Sequence, residues 1–295
     1  MDLSSPEALT RFSAFALAFV VLALAESWVP RRRRTLARRA RWPGNLGLVA
    51  LAAIAIRTML PLTAVGAAML AEAHGWGLLH AIDGVPVWLR IIAAVVLLDL
   101  AIYLQHVLFH AVPLLWRVHR VHHSDLELDV SSGVRFHPVE ILVSAGFKLS
   151  VVAVIGPPIA AVVSYEILLN VGSLFSHANL RLSDTADRLL RRLVVTPDMH
   201  RVHHSIALGE TNTNFGFTVS WWDHVFGTYR AQPDGGHEGM RIGVAGFDET
   251  RAVALHRLLL QPIENSKPST RDLHLTEESH GRHQLEHPGP TLRQL

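Results

Sequence analysis

Apolar residues in this chain are bunched into runs, and most of the polar chemistry falls between or after them. Residues 11–29, RFSAFALAFVVLALAESWV, are about as long as a hydrocarbon core requires. A second run, 45–73, is interrupted by Arg57 and Pro61. An arginine near mid-bilayer costs on the order of 2.5–3.5 kcal/mol, so this helix is expected to be kinked, tilted or packed against protein there. A short loop at 74–86 leads to a third run, about 87–110. The next apolar stretch, 139–176, is split by Gly156-Pro157-Pro158, which cannot continue a helix. It therefore reads as a helical hairpin that enters the membrane and returns to the side it left. From 178 onward no spanning run occurs, and the chain is polar with a turn-rich segment TNTNFG at 211–216 and WWDHVFGTY at 221–229.

The expected fold class is all-α, a multi-pass integral membrane helical bundle with a cytoplasmic histidine-rich helical cap. Residues 1–86 would anchor it and 87–264 would form the histidine-box domain. Residues 265–295, with His274, His280, His283 and His287 at no helical spacing, read as a disordered polar tail. Orientation comes from RRRRTLARRAR at 31–41, seven arginines in eleven residues directly after the first run. Positive residues stay inside, which places the N-terminus outside. Residues 106–137 and 177–204 then both emerge at the cytoplasmic surface. The segment before the first run, MDLSSPEALT, has acidic residues and no positive stretch, so a span is expected rather than a cleaved signal peptide. The arginines could also recognise anionic lipid or an acidic redox partner, but topology alone is a sufficient role.

Composition agrees with a membrane protein: 49% of residues are hydrophobic, 18% are charged and the mean hydropathy is +0.26. A net charge of +2 gives no case for nucleic acid. Cysteine is absent, which removes thiolate zinc sites, iron–sulfur clusters and CxxCH haem attachment. Any metal must be held by nitrogen or oxygen.

The histidines supply the nitrogen. His-Arg-Val-His-His-Ser occurs at 119–124 and again at 200–205. On a helix His119, His122 and His123 lie at i, i+3 and i+4, and are expected to leave one face and converge; His200, His203 and His204 repeat the pattern. His106 and His110 have the i, i+4 spacing by which two imidazoles grip one ion. With His137 and His177, ten of the nineteen histidines fall within 106–204. One ion takes roughly four to six ligands, so two ions are the simplest count.

Two polar stripes cross otherwise apolar helices: Asp99, Tyr103, His106 and His110 are 4, 3 and 4 residues apart, and so are Glu166, Asn170, Ser173 and His177. The repeat suggests two helices facing each other across one site. It makes Asp99, Tyr103, Glu166 and Asn170 candidates to orient metal-bound rings, with an ordinary interhelical hydrogen bond as the simpler role.

Together the histidine pair at 106–110, LWRVHRVHHS at 115–124, RFHPVE at 135–140, SHANLRL at 176–182, TPDMHRVHHS at 196–205, TNTNFG and WWDHVFGTY resemble the fatty acid hydroxylase/sterol desaturase superfamily. The resemblance covers about 95–230. It implies a non-haem di-iron, oxygen-dependent oxidation of a lipid, by hydroxylation or desaturation, with molecular oxygen as co-substrate. It implies the ligands His106, His110, His119, His122, His123, His200, His203 and His204, with His177 as a ninth and His137 as a further candidate. Asn214-Phe215-Gly216 departs from the more usual Asn-Tyr-Gly and loses a phenol near the site.

Iron with open positions suits this chemistry, and zinc could replace it in purified protein. No flavin fingerprint, haem motif or cysteine is present, so electrons are expected from a separate donor protein. The partners are thus a lipid substrate, the membrane and that donor, with no nucleic acid. A membrane-embedded zinc-dependent hydrolase is the alternative, but it calls for a motif such as HExxH, which is missing. A metal transporter would carry its ligands along a path at the bilayer midplane instead.

Overall fold

The computed structural model describes residues 6–265. The expected tail lies outside the described residues apart from Asn265. Among the described residues the secondary structure is helical, with three isolated β-bridges and no strand. Five segments are long and apolar enough to span a membrane: Pro6–Trp28 (α1), Arg38–His74, Val87–Ala111, Pro138–Ile155 and Ile159–His177. The second comprises two helices, Arg38–Met59 (α2) and Ala64–His74 (α3). The third is α4; the short helix Pro113–His123 (α5) follows it, and the two arms of the hairpin are α6 and α7.

Local chemistry explains these boundaries. Pro61 ends α2, and the Thr63 hydroxyl restarts the chain by accepting from the Gly66 N–H at 3.0 Å. Arg57 is exposed in the last turn before this break, so of the expected accommodations kinking is realised and packing against protein is not. The hairpin tip, Gly156, takes φ 62°, open to glycine, and packs on the 74–86 loop. A Cβ there would stand 2.1 Å from the Trp76 carbonyl. Leu78 and Leu79 N–H groups bond to Val154 and Ile155 carbonyls at 2.9 Å. The tip therefore shares one end of the bundle with the 74–86 loop, and the starts of α2 and α6 and the ends of α1, α4 and α7 share the other.

Small residues let the central helices approach closely: Ala67 and Ala68 of α3, Ala94 and Leu98 of α4, and Ala161 and Val162 of α7 form one buried cluster. The histidine end is held by charge instead. Fully buried Arg41, at the base of α2, bonds Asp125 at 2.8 and 2.6 Å and Asp129 at 2.8 Å. Arg135 reaches the Asn45 amide oxygen and the Val121 carbonyl at 2.8 and 2.9 Å. Burial alone would raise the Asp125 carboxyl, but Arg41 and Arg135 bring it down to about 2. Glu26 of α1, also fully buried, accepts from the Val130 and Asn179 N–H groups and from Arg34 and Arg38. The arginine cluster, expected as an orientation signal, also makes contacts inside the protein: Arg31, Arg34, Arg38 and Arg41 are in ion pairs, while Arg33 and Arg39 are exposed.

One segment expected in a polar cap lies deeper. Trp222 Nε1 donates to Asp99 at 2.9 Å, and Phe226 stacks on Tyr103 with ring centroids 5.4 Å apart. Asp99 lies seven residues, about 10 Å along α4, from His106. The chain around 221–226 therefore runs beside the α4 span, with Trp221, Val225 and Phe226 exposing apolar surface.

Candidate metal centre

The last two turns of α4 carry His106 and His110, α5 carries the first triplet and α7 ends at His177. A further helix, Pro197–His203 (α8), carries His200 and His203 of the second, with His204 as its C-cap. It begins where the Thr196 hydroxyl accepts from the Met199 N–H and Pro197 takes the first helical position. Nine rings meet at the histidine end in two groups, within each of which the ligand nitrogens lie within 4.8 Å of one another: His106, His110, His119, His123 and His203, and His122, His177, His200 and His204.

The triplets do not each converge on one point, as their spacing suggested. Each divides: the first sends His119 and His123 to one group and His122 to the other, and the second sends His200 and His204 to one and His203 to the other. At about 100° per residue, positions i and i+4 differ by about 40° around the helix, whereas i+3 and i+4 differ by about 100°. The i, i+4 pair therefore shares a target and the i+3 ring points to the neighbouring one. The identical hexapeptides interlock, and His123 stacks on His204 with centroids 4.4 Å apart.

Within the first group Nε2 atoms approach at 3.1 Å for His106–His119, His110–His123 and His106–His203, and 3.2 Å for His119–His123. In the second they lie 3.0 Å apart for His122–His177 and 3.1 to 3.2 Å for His177–His200, His177–His204 and His200–His204. Opposite ring nitrogens define what these contacts are. His106 Nδ1 lies 2.7 Å from the Phe215 carbonyl, His203 Nδ1 2.7 Å from the Thr213 carbonyl and His177 Nδ1 2.7 Å from the Ser173 carbonyl. A carbonyl only accepts, so each ring keeps its proton on Nδ1 and turns a lone pair inward. His106 and His203 then face each other lone pair to lone pair at 3.1 Å, which is repulsive unless a cation sits between them. Nitrogens about 2.1 Å from a shared ion would lie about 3.0 to 3.4 Å apart, so the donor set fits two metal ions.

His119 Nδ1 is 2.6 Å from Glu140, and His110 Nδ1 is 3.3 Å from the Asn212 side-chain oxygen. Sequence reasoning overlooked both partners, although Glu140 stands in the RFHPVE motif. The loop carrying the Thr213 and Phe215 carbonyls is itself braced. Asp223 accepts from the Phe215 and Gly216 N–H groups at 2.7 and 3.0 Å, and Asn214, at φ 52°, spans the Met199 and Arg230 carbonyls. The Phe215 ring packs edge-on against His106, His110 and His203.

The remaining candidates stand elsewhere. His137 caps α6, its Nδ1 accepting from the Val139 N–H and its Nε2 facing the Leu259 carbonyl, outside both groups. Asp99 accepts from Trp222 and Tyr165, and the Tyr103 hydroxyl bonds Thr228 at 2.8 Å, which bonds Asp223. Glu166 pairs with Lys148 and Arg11, and Asn170 donates to the Glu166 carbonyl. Of these four, Tyr103 reaches the cage indirectly, through Thr228, Asp223 and the Phe215 loop. A cavity of about 380 Å³ runs between α1, α2, α4, α6 and α7 and is lined at the cage end by His106, His119 and Glu140. Its walls are otherwise mostly apolar, including Phe15, Ile56, Phe109 and Phe217.

Residues 91–228 match the family model for fatty acid hydroxylase. The histidine-box region belongs to the fatty acid hydroxylase/sterol desaturase superfamily. Among curated relatives, an ornithine lipid hydroxylase of Rhizobium tropici is 29% identical over 184 residues, 61% of this chain and 53% of that protein. Alkylglycerol monooxygenase of Homo sapiens is 25% identical over 171 residues, 54% of this chain and 35% of its own length. The enzyme of that name from Danio rerio is 26% identical over 151 residues, 51% of this chain and 32% of its own. The chain spans about half or less of the length of these relatives. No solved structure gives a significant match.

In this fatty acid hydroxylase domain the cage rings are held neutral. Burial first, then repulsion between neighbouring rings, puts His122, His123, His200, His203 and His204 well below the usual histidine range, and burial brings His119 down to about 3. Such rings bind protons more readily unfolded than folded. Their share of stability is complete above the unfolded value of about 6.5 and is lost as pH falls below it towards the folded value. Metal-free protein should accordingly melt at lower temperature at pH 5 than at pH 7.5. A midpoint that is unchanged or higher at pH 5 would contradict neutral rings.

Glu140 fixes the orientation of His119. Glu140→Ala should weaken metal retention about 10- to 100-fold in a chelator competition. Retention equal to the wild type would mean that the carboxylate does not support the ligand.

Proposed function

We propose that this protein is an oxygen-dependent hydroxylase of a membrane lipid, using two iron ions held by the nine histidines and electrons from a separate redox protein. The observation that carries this reading is the meeting of two interlocked nitrogen-only groups with the end of a lipid-sized apolar cavity inside a spanning bundle. Five nitrogens in one group exceed the four ligands of a typical zinc site, which favours iron over the hydrolytic alternative. Iron bound there would supply activation of molecular oxygen and removal of hydrogen from an unactivated C–H bond.

The chain's own residues provide the rest. The Phe215, Thr213 and Ser173 carbonyls hold ring protons at Nδ1, so that Nε2 stays available for the metal, and Glu140 orients the His119 ring. The cavity admits an acyl or alkyl chain between α2, α4 and α6 and brings it up to His106 and His119. Its apolar walls keep bulk water from the reacting carbon. The names of the relatives, an ornithine lipid hydroxylase and alkylglycerol monooxygenases, favour oxygen insertion over desaturation. The arginines at 31–41 favour a cytoplasmic cage, accessible to a soluble or membrane-surface electron donor.

In the second group the His122 Nε2 lies 3.0 Å from that of His177, and its ring stacks on Phe136 with centroids 4.4 Å apart. With iron-loaded protein and a reducing system, lipid-dependent oxygen consumption should disappear in His122→Ala while membrane insertion is unchanged. Wild-type turnover in that variant would remove His122 from the cage, and bound zinc with no oxygen use by the wild type would support a hydrolase.

A further inference from the structure

The end of the cavity away from the histidines carries charge. Lys148 lines it, and its ammonium lies 2.8 Å from Glu166. Arg11 pairs with the other Glu166 oxygen. One turn closer to the cage on each of the flanking helices, Phe15 of α1 and Asn170 of α7 line the same cavity, so the three charges stand at its far end. Lys148 is eight residues beyond Glu140 on α6, about 12 Å along the axis, and Ser144 lines the wall midway. Two cations share one carboxylate within a spanning bundle. A surplus positive charge in so apolar a setting is costly unless an anion meets it.

We propose that Lys148, supported by Arg11 and Glu166, binds the anionic group of the lipid substrate, a carboxylate or phosphate, and so fixes which carbon lies at the cage. Glu166 holds the two cations in place, and the ligand's negative charge balances the surplus. The bound lipid is then positioned from both ends: its charged group at Lys148, and the carbon to be oxidised about 12 Å away beside His106 and His119. This inference rests on the hydroxylase reading for the identity of the ligand as substrate, but the binding itself needs no turnover.

Equilibrium binding of tetradecanoate, tetradecyl phosphate and tetradecan-1-ol to the purified full-length protein at pH 8 tests it. At least one anion should bind about tenfold or more tightly than the alcohol, and the stronger of the two identifies the group. Lys148→Met should abolish that preference while alcohol binding persists, and Lys148→Arg should keep it. Equal affinity of the wild type for all three ligands would overturn the proposal, as would a preference that survives Lys148→Met. An anion preference in a protein that uses no oxygen would leave this site standing and defeat the hydroxylase reading; oxygen-dependent turnover without the preference would do the reverse.

Discussion

Nine imidazole Nε2 atoms gather in two groups, and those of His106, His203 and His177 turn lone pairs inward, an arrangement tolerable only with cations at the centre. The protein prepares it by engaging the outer ring nitrogens. Carbonyls of Phe215, Thr213 and Ser173 and the carboxylate of Glu140 lie beside Nδ1 atoms of His106, His203, His177 and His119. Burial then keeps the triplet rings unprotonated. Fixed tautomers and suppressed basicity together turn a polar cluster into a metal-binding one.

Bringing these rings together requires that all five spanning segments bring one end to the same side. The hairpin does this by reversing at Gly156 against the 74–86 loop, so that α7 returns His177 to the end from which α6 departed. Buried ion pairs lock that end: Arg41 holds Asp125 and Asp129 just beyond the first triplet, and Glu26 ties α1 to Val130 and Asn179. Removing one member of such a pair typically costs about 3–5 kcal/mol, because its partner stays buried and charged. Fold stability and cage geometry therefore rest on the same short stretch of chain.

Much of this was legible in the residues themselves. Apolar runs broken at Pro61 and Gly156 reveal the spans, and the doubled hexapeptide points to the histidine cluster that the structure assembles. The division of each triplet was not legible from spacing alone, because it depends on a second helix crossing the first closely enough for i+3 to find a different target. Asp99 looked like a partner for His106 because both lie on one stripe of α4, yet a tryptophan 123 residues away in the chain claims it. The arginine run read as a topology signal, but contacts with acids as distant as Asp198 draw several of its members inward. Long-range pairing of this kind leaves no periodicity to read. The pair Lys148 and Glu166 was hidden for the same reason, although an intramembrane charge is itself a warning of function.

On the proposed reading these rings enclose two ions side by side. Metal analysis of purified protein combined with X-ray absorption at the bound metal tests it most directly. The expected result is two ions per chain in a nitrogen- and oxygen-only shell, with a second metal visible beyond it. A single ion per chain, or none after loading with iron under reducing conditions, would contradict the account.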